Sequence, residues 1–447
     1  MLKTTPRVTH IERWTLSVPF RERVAPWNAL LISQHRVVEV VRVRTDDPDV
    51  VGWGETLPHY TWGRVSEGAV LHATGRPLAE LTGNDALGCG LQMAVYDALG
   101  KALGVPVWRL LNRPRVRDEC SLAWWSTKMP PEALAEEAKE ALAGGYVAHK
   151  IKARPWFDVY AQIEAVSAVT PPHYHIEPDF NDMLLDAGTA APVLQALDRY
   201  ERVALYEGPL PQRDVAGYRK LRTKTNRPLV THFGLPDFAT AVRSEMCDGF
   251  VVSGGVAGVL QQGALADAFH LPYFLQMIGT GLTTALCAHL AAVLPGARWP
   301  AVTCMHHYAD DLLERPLVVR HGMVRVPDAP GLGVVFDETA LARFAMEPPY
   351  RVPRPRHILT VSWPGGRKMH YPYMELDTSD ADGGPHYSHL KYAASPGSGG
   401  GVGCWEDFLR GNQPVFERGV TLDVWDDDGS RDWADLYART LEGPVRG

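Results

Sequence analysis

Val147-Ala148-His149-Lys150-Ile151-Lys152, His175-Ile176-Glu177-Pro178-Asp179 and Ala204-Leu205-Tyr206-Glu207 decide the fold. Each is a short, mostly apolar run that ends in charge and gives way to a helical stretch. The same alternation runs from Cys120 to about Val335, with strands predicted at Val147 to Ile151, Tyr174 to Ile176, Ala204 to Tyr206, Leu229 to Thr231, Gly249 to Val252 and Tyr273 to Met277. Pro131 to Leu142 shows the intervening helices well, with prolines at its entrance, early glutamates, and Gly144-Gly145 at its exit. Six or more strand-helix units in one stretch suit a (β/α)7β TIM-type barrel over residues 119–335. A doubly wound open sheet is the weaker choice, because no glycine-rich phosphate turn follows the first strand.

The flanks have other textures. Residues 1–118 open with strand-like stretches at Val8 to Val18 and His35 to Arg44, and Gly52-Trp53-Gly54-Glu55 reads as a tight turn. From Asn84 to Leu103 the period becomes helical, with Leu87, Leu91, Ala94, Val95, Ala98, Leu99 and Ala102 on one face, and Gly104 stops it. Strands followed by a helix describe a small α+β domain. Residues 351–447 lose the alternation and are rich in Pro, Gly, Trp, Tyr and Asp, with turns at Pro364-Gly365-Gly366 and Asp426-Asp427-Asp428-Gly429 and a tract Ser395-Pro396-Gly397-Ser398-Gly399-Gly400-Gly401. Trp363, Tyr371, Tyr373, Trp405, Trp425 and Trp433 mark an ordered, β-rich module, expected against the α+β domain or a neighbouring subunit of a homo-oligomer.

The 447 residues are 45% hydrophobic and 22% charged, with a net charge of −7, which argues against nucleic acid or membrane as the main partner. No apolar run approaches a bilayer span, and the N-terminus has no signal-peptide pattern, so a cytoplasmic location is expected. The six cysteines, Cys404 among them, include no C-x-x-C pair and read as reduced thiols.

Barrel chemistry belongs at the C-terminal strand ends. Lys150 and Lys152 are two apart on a strand, so both point to one face, and each lowers the other's pKa towards that of a useful base. Asp179 ends the next strand, Glu207 the one after, and Thr231-His232 the one after that. An Asp, a Glu and a His in register form a plausible divalent-metal site; alone, each would read as a helix cap or a core residue.

Met93-Ala94-Val95-Tyr96-Asp97-Ala98-Leu99-Gly100-Lys101-Ala102-Leu103-Gly104-Val105-Pro106-Val107-Trp108-Arg109-Leu110-Leu111 resembles the helix and Gly-x-Pro turn that lead into the barrel in the mandelate racemase and muconate-lactonising branch of the enolase superfamily. Lys150-Ile151-Lys152, Asp179-Phe180-Asn181, Glu207-Gly208-Pro209, Gly254-Gly255-Val256 and Ala288-His289-Leu290-Ala291-Ala292-Val293-Leu294-Pro295 extend the resemblance over roughly residues 7–345. It implies that the α+β domain of residues 1–118 is a capping domain, completed by about residues 336–350. It also implies removal of a proton α to a carboxylate, with Lys152 as base, Lys150 in support, and Asp179 and Glu207 as the first two ligands of Mg2+. The third ligand position holds His232 rather than an acid, which shifts preference towards Mn2+ or Zn2+, with a metal-free site as the alternative. Gly249-Phe250-Val251-Val252-Ser253 and Gln276-Met277-Ile278-Gly279 lack the family's second bases. Racemisation then gives way to one-base elimination on a hydroxy acid or sugar acid. His59, Tyr60 and Trp62 on the covering loop, with Trp124, Trp125, Arg154, His306 and His307, are candidates to bind a small-molecule carboxylate. The rival reading is a divergent relative that binds an acid or a partner without enolising it; a third makes the C-terminal module the functional part.

Overall fold

The structure, a computed structural model, describes residues 5–60, 63–352, 356–372 and 416–447; Trp62, Tyr373, Cys404, Trp405 and the Ser395 to Gly401 tract lie outside them. The capping domain begins with an antiparallel sheet of β1 (Val8–Ser17), β2 (Val37–Thr45) and β3 (Val51–Thr56), in that order. Alternate valines of β2 pack with α1 (Cys89–Leu103), whose Leu91, Ala94, Val95 and Ala98 are buried. The predicted turn at Gly52–Glu55 is instead the middle of β3. Its glycines are there for the helix, since a Cβ on Gly52 or Gly54 would run into the carbonyl of Ala94 or Gly90. Asp97 fastens this layer from within, accepting from Trp53 N at 2.9 Å, Leu332 N at 2.8 Å and Lys101 Nζ at 2.7 Å.

After the short strand β4 (Glu119–Ser121) the barrel runs β5 (Trp124–Ser126), α2 (Pro131–Ala143), β6 (Ala148–Lys152), α3 (Val159–Val169), β7 (His175–Asp179), α4 (Ala187–Leu197) and β8 (Tyr206–Glu207). It continues through α5 (Val215–Arg222), β9 (Leu229–His232), α6 (Phe238–Arg243), β10 (Gly249–Val252), α7 (Val256–Ala268), β11 (Tyr273–Leu275) and α8 (Gly281–Ala292). Among the described residues β5 to β11 form one parallel sheet of seven strands in sequence order. Ala301 and Val302 close it: Ala301 bridges Leu122 beside β5, and Val302 bridges Gln276 beyond β11. An aspartate at the start of several helices accepts backbone N–H groups: Asp158 before α3, Asp186 before α4, Asp214 before α5 and Asp237 before α6. Glu55, fully buried on β3, does the same for α8 through Thr280 N and Thr283 N, and so ties the capping sheet to the barrel.

The chain then returns to the capping domain, where Ser17 N donates to Phe344 O and Met346 N to Thr15 O. The C-terminal module is an antiparallel sheet of β12 (His357–Ser362), β13 (Lys368–Pro372), β14 (Thr421–Asp426) and β15 (Val445–Arg446), in the spatial order β14, β12, β13, β15. It also carries a helix the sequence reading did not anticipate, α9 (Arg431–Glu442), capped by Ser430 and anchored by buried Trp433. The start of the extension meets the capping domain, where Val352 N donates to Gln34 Oε1 at 3.1 Å and Gln34 Nε2 donates to Val352 O at 2.8 Å, and its later residues meet the barrel of the same chain. Phe416 packs edge-on against Phe180, 5.3 Å between centroids, Arg418 pairs with Glu164, and Gly419 N donates to Asp158. Among the described residues no helix is long and apolar enough to cross a membrane.

Candidate active site

Strand alternation sends Ile151 into the core between the sheet and its helices and turns Lys150 and Lys152 into the barrel. Register does the rest, because Lys152 lies beside Asp179 and Asp179 beside Glu207 across β6, β7 and β8. The Lys150 ammonium is ion-paired with Glu207, lies 3.5 Å from Asp179 Oδ2 and donates to Gln276 Oε1 at 2.8 Å. Lys152 Nζ lies 2.5 Å from Asp179 Oδ2 and 3.1 Å from Asn181 Oδ1, and 5.8 Å from the centre of the Trp125 ring. The two lysines differ in access: the Lys150 side chain is 1% exposed and that of Lys152 is 11% exposed.

Burial works against Lys150's charge, but Glu207 and Asp179 outweigh it and hold its pKa above the ordinary lysine value. For Lys152 burial prevails, helped by repulsion from Lys150 and Arg154 and opposed by Asp179, so its pKa falls. Burial also pushes Asp179 up, but Lys152, Lys150 and Arg154 more than reverse it and keep the carboxylate ionised. Glu177, two residues before Asp179 and facing the same interior, is raised to about 8 by burial. The backbone just beyond Asp179 is in the left-handed region at Asn181 (φ 44°) and Asp182 (φ 69°), a strained corner that directs Asn181 back onto Lys152 and Arg154.

His232 ends β9 with Nε2 3.4 Å from Glu207 Oε1. Two carboxylates and an imidazole on three successive strand ends are a suitable donor set for a divalent ion, and the Lys150 ammonium between the carboxylates marks a place that already favours a cation. Among the described residues no three His, Cys, Asp or Glu side chains are already gathered closely enough to hold an ion.

Arg154 joins the cluster, donating to Asn181 and to Asp179 O at 3.1 Å. Tyr60, from the capping domain, has its ring 4.1 Å from that of His35, and its hydroxyl pKa is raised first by burial and then by Cys304, Asp179 and Glu207. His59 is turned to Tyr350 O at 2.8 Å. Trp124 and His306 are brought together elsewhere. Trp124 points outward to Glu137 on α2, stacks on His306 at 3.9 Å, and with it lines a separate cavity of about 620 Å3. Trp125, the next residue, takes the inward position. The sequence reading passed over Lys128, buried two residues beyond β5, and Glu177, whose only signal is its i−2 spacing from Asp179.

Residues 133–340 match the enolase C-terminal domain-like family. The chain is 26% identical over 295 residues to D-gluconate dehydratase of Thermoproteus tenax, an alignment covering 58% of this chain and 56% of that enzyme's length. It is 26% identical over 381 residues to muconate cycloisomerase 1-2 of Acinetobacter lwoffii, covering 75% and 95%. An isomerase from Streptomyces coelicolor A3(2) superposes with a TM-score of 0.61 at 25% identity, covering 76% of this chain and 99% of that one.

Proposed function

We propose that this chain, which belongs to the enolase superfamily, abstracts the proton α to the carboxylate of a hydroxy acid or sugar acid with Lys152 and eliminates water. One observation carries the reading: of two lysines on one strand face, Lys150 is enclosed by Glu207, Asp179 and Gln276, whereas Lys152 keeps access to the barrel mouth. The neutral Lys152 amine takes the α-proton, the released electron pair forms the Cα–Cβ double bond, and the β-hydroxyl departs. The lysine, now an ammonium on that same face, returns the proton to the leaving hydroxide, so water, an enol and the free amine result. Elimination is favoured over racemisation because β10 leads to Ser253 and β11 to Gln276, which is already hydrogen-bonded to Lys150; neither presents a base to the opposite face. Asp179, Glu207 and His232 are the residues that would hold a divalent ion. When bound, that ion supplies positive charge against the charge developing on the substrate carboxylate.

A panel of mono- and diacid sugars in D2O tests this, with α-proton exchange and keto-acid formation as readouts. Lys152→Ala should lose roughly 10²–10⁴-fold in both while melting like wild type. The ion pairs holding both lysines favour a second reading, a barrel that binds acids without enolising them. Wild-type protein that is stabilised by an acid but shows neither exchange nor product would establish that reading in place of the first.

A further inference from the structure

Four cationic side chains converge at the barrel mouth: Lys128, Lys150, Lys152 and Arg154. Lys150 is taken up by Glu207 and Asp179, Lys152 by Asp179 and Asn181, and Arg154 by Asn181 and two backbone carbonyls. Lys128 differs from the others. It is 4% exposed, yet among the described residues its ammonium makes neither a hydrogen bond nor an ion pair with a carboxylate. An ammonium on a largely buried side chain without a partner is expensive, and folded chains keep one where something else completes it.

Its surroundings say where the completing group must sit. Lys128 follows β5 at the C-terminal end of the barrel, and its charge interacts with Arg154, Lys152 and Asp179. Trp125 of that strand is paired in register with Lys150 and has its ring centre 5.8 Å from Lys152 Nζ, so Lys128 continues the strand end that borders the lysine pair. Burial first, then repulsion by Arg154 and Lys152, depresses the Lys128 pKa, with Asp179 opposing. An arriving anion relieves both costs at once.

We propose that Lys128 binds a second anionic group of the substrate, at the end remote from the carbon that Lys152 deprotonates, making this a site for dianionic acids. The inference rests on the reading of the mouth as an acid-binding site, and it assigns Lys128 to specificity rather than to proton transfer. A carboxylate and a phosphate would satisfy the ammonium alike.

The test uses the full chain and three six-carbon probes with the same polyol backbone length: gluconate (one anionic end), glucarate (a second carboxylate) and 6-phosphogluconate (a terminal phosphate). Binding is read by thermal shift and calorimetry, and turnover where it occurs. Wild type should bind glucarate, 6-phosphogluconate or both at least tenfold more tightly than gluconate, and which one does so identifies the second group. Lys128→Met should erase that preference, raising Kd and KM for the dianion tenfold or more. Its effect on gluconate, which offers no second anionic end, should be at least tenfold smaller than on the dianion, and the variant should still melt cooperatively. Lys128→Arg should retain part of the preference. Equal affinity of wild type for all three probes, binding of none at 10 mM, or an unchanged dianion preference in Lys128→Met overturns the proposal. A Lys128-dependent preference without α-proton exchange in D2O leaves it standing and removes only the catalytic reading.

Discussion

His149 illustrates how one strand supplies both chemistry and a liability. It precedes Lys150 on β6 and therefore points away from the barrel interior, where its Nε2 lies 2.7 Å from Ser126 Oγ and its ring meets Tyr174 edge-on. Burial, with a smaller push from His307, lowers its pKa from the ordinary 6.5 to about 3. Above pH 6.5 the ring is neutral folded or unfolded, and its protonation has no bearing on stability. Below that the unfolded chain accepts a proton that the folded chain refuses, so stability falls by roughly 1.4 kcal/mol per pH unit until about pH 3. His149→Gln keeps an amide within reach of Ser126 and cannot titrate. Denaturant melts between pH 7 and 4 should show its stability declining less steeply than wild type, by ~1 kcal/mol per unit. Parallel slopes would mean that His149 is protonated in the folded protein.

At the scale of elements, the packing of α1 on β3 turns on two glycines, and substitution separates packing from conformational freedom. Gly54→Ala places a methyl against the Gly90 carbonyl and should cost roughly 1–3 kcal/mol as the helix is pushed off the sheet. Gly68→Ala, at an exposed helical position with open space around it, should be neutral or stabilising by up to ~1 kcal/mol. Chemical denaturation of the two variants checks the contrast, and a Gly54→Ala protein as stable as wild type would show that the layers can separate without loss. The same glycines show where sequence is hard to read. Gly-Trp-Gly-Glu looks like a turn because local composition cannot reveal a helix that packs from forty residues away. The barrel strands, and with them Lys150, Lys152, Asp179 and Glu207, were legible because strand period and charged termini are local signals. The closing position at Ala301 and Val302 was not, since it consists of isolated bridges rather than an apolar run. Nor was Lys128, whose significance lies in having no partner, a property of the folded surroundings and not of the stretch Trp124-Trp125-Ser126-Thr127-Lys128. Nor was the outward turn of Trp124, since deciding which of two adjacent tryptophans faces the barrel requires the register of β5 on β6.

At the scale of the whole molecule, the C-terminal module is joined to the part of the barrel that carries the chemistry. Phe416 is fully buried against Phe180, and Phe180 lies between Asp179 and Asn181, the residues that hold Lys152. Arg418 adds an exposed ion pair with Glu164 and a hydrogen bond to Tyr200 at 2.8 Å, contacts that contribute little energy but fix orientation. Ending the chain at residue 352 exposes the Phe180 ring and frees a backbone corner that is strained at Asn181 and Asp182. Losing one such buried aromatic contact costs roughly 1–3 kcal/mol, on the order of 5 °C in melting temperature. The relaxed corner should also loosen the grip of Asn181 on Lys152 and Arg154, so KM for the acid rises several-fold and kcat falls with it. Phe416→Ala in the full chain should reproduce most of both effects while leaving the module in place, which separates the contact from the bulk of the extension. A truncated protein with wild-type melting temperature and kinetics would make residues 353–447 an appendage with no hold on the barrel mouth.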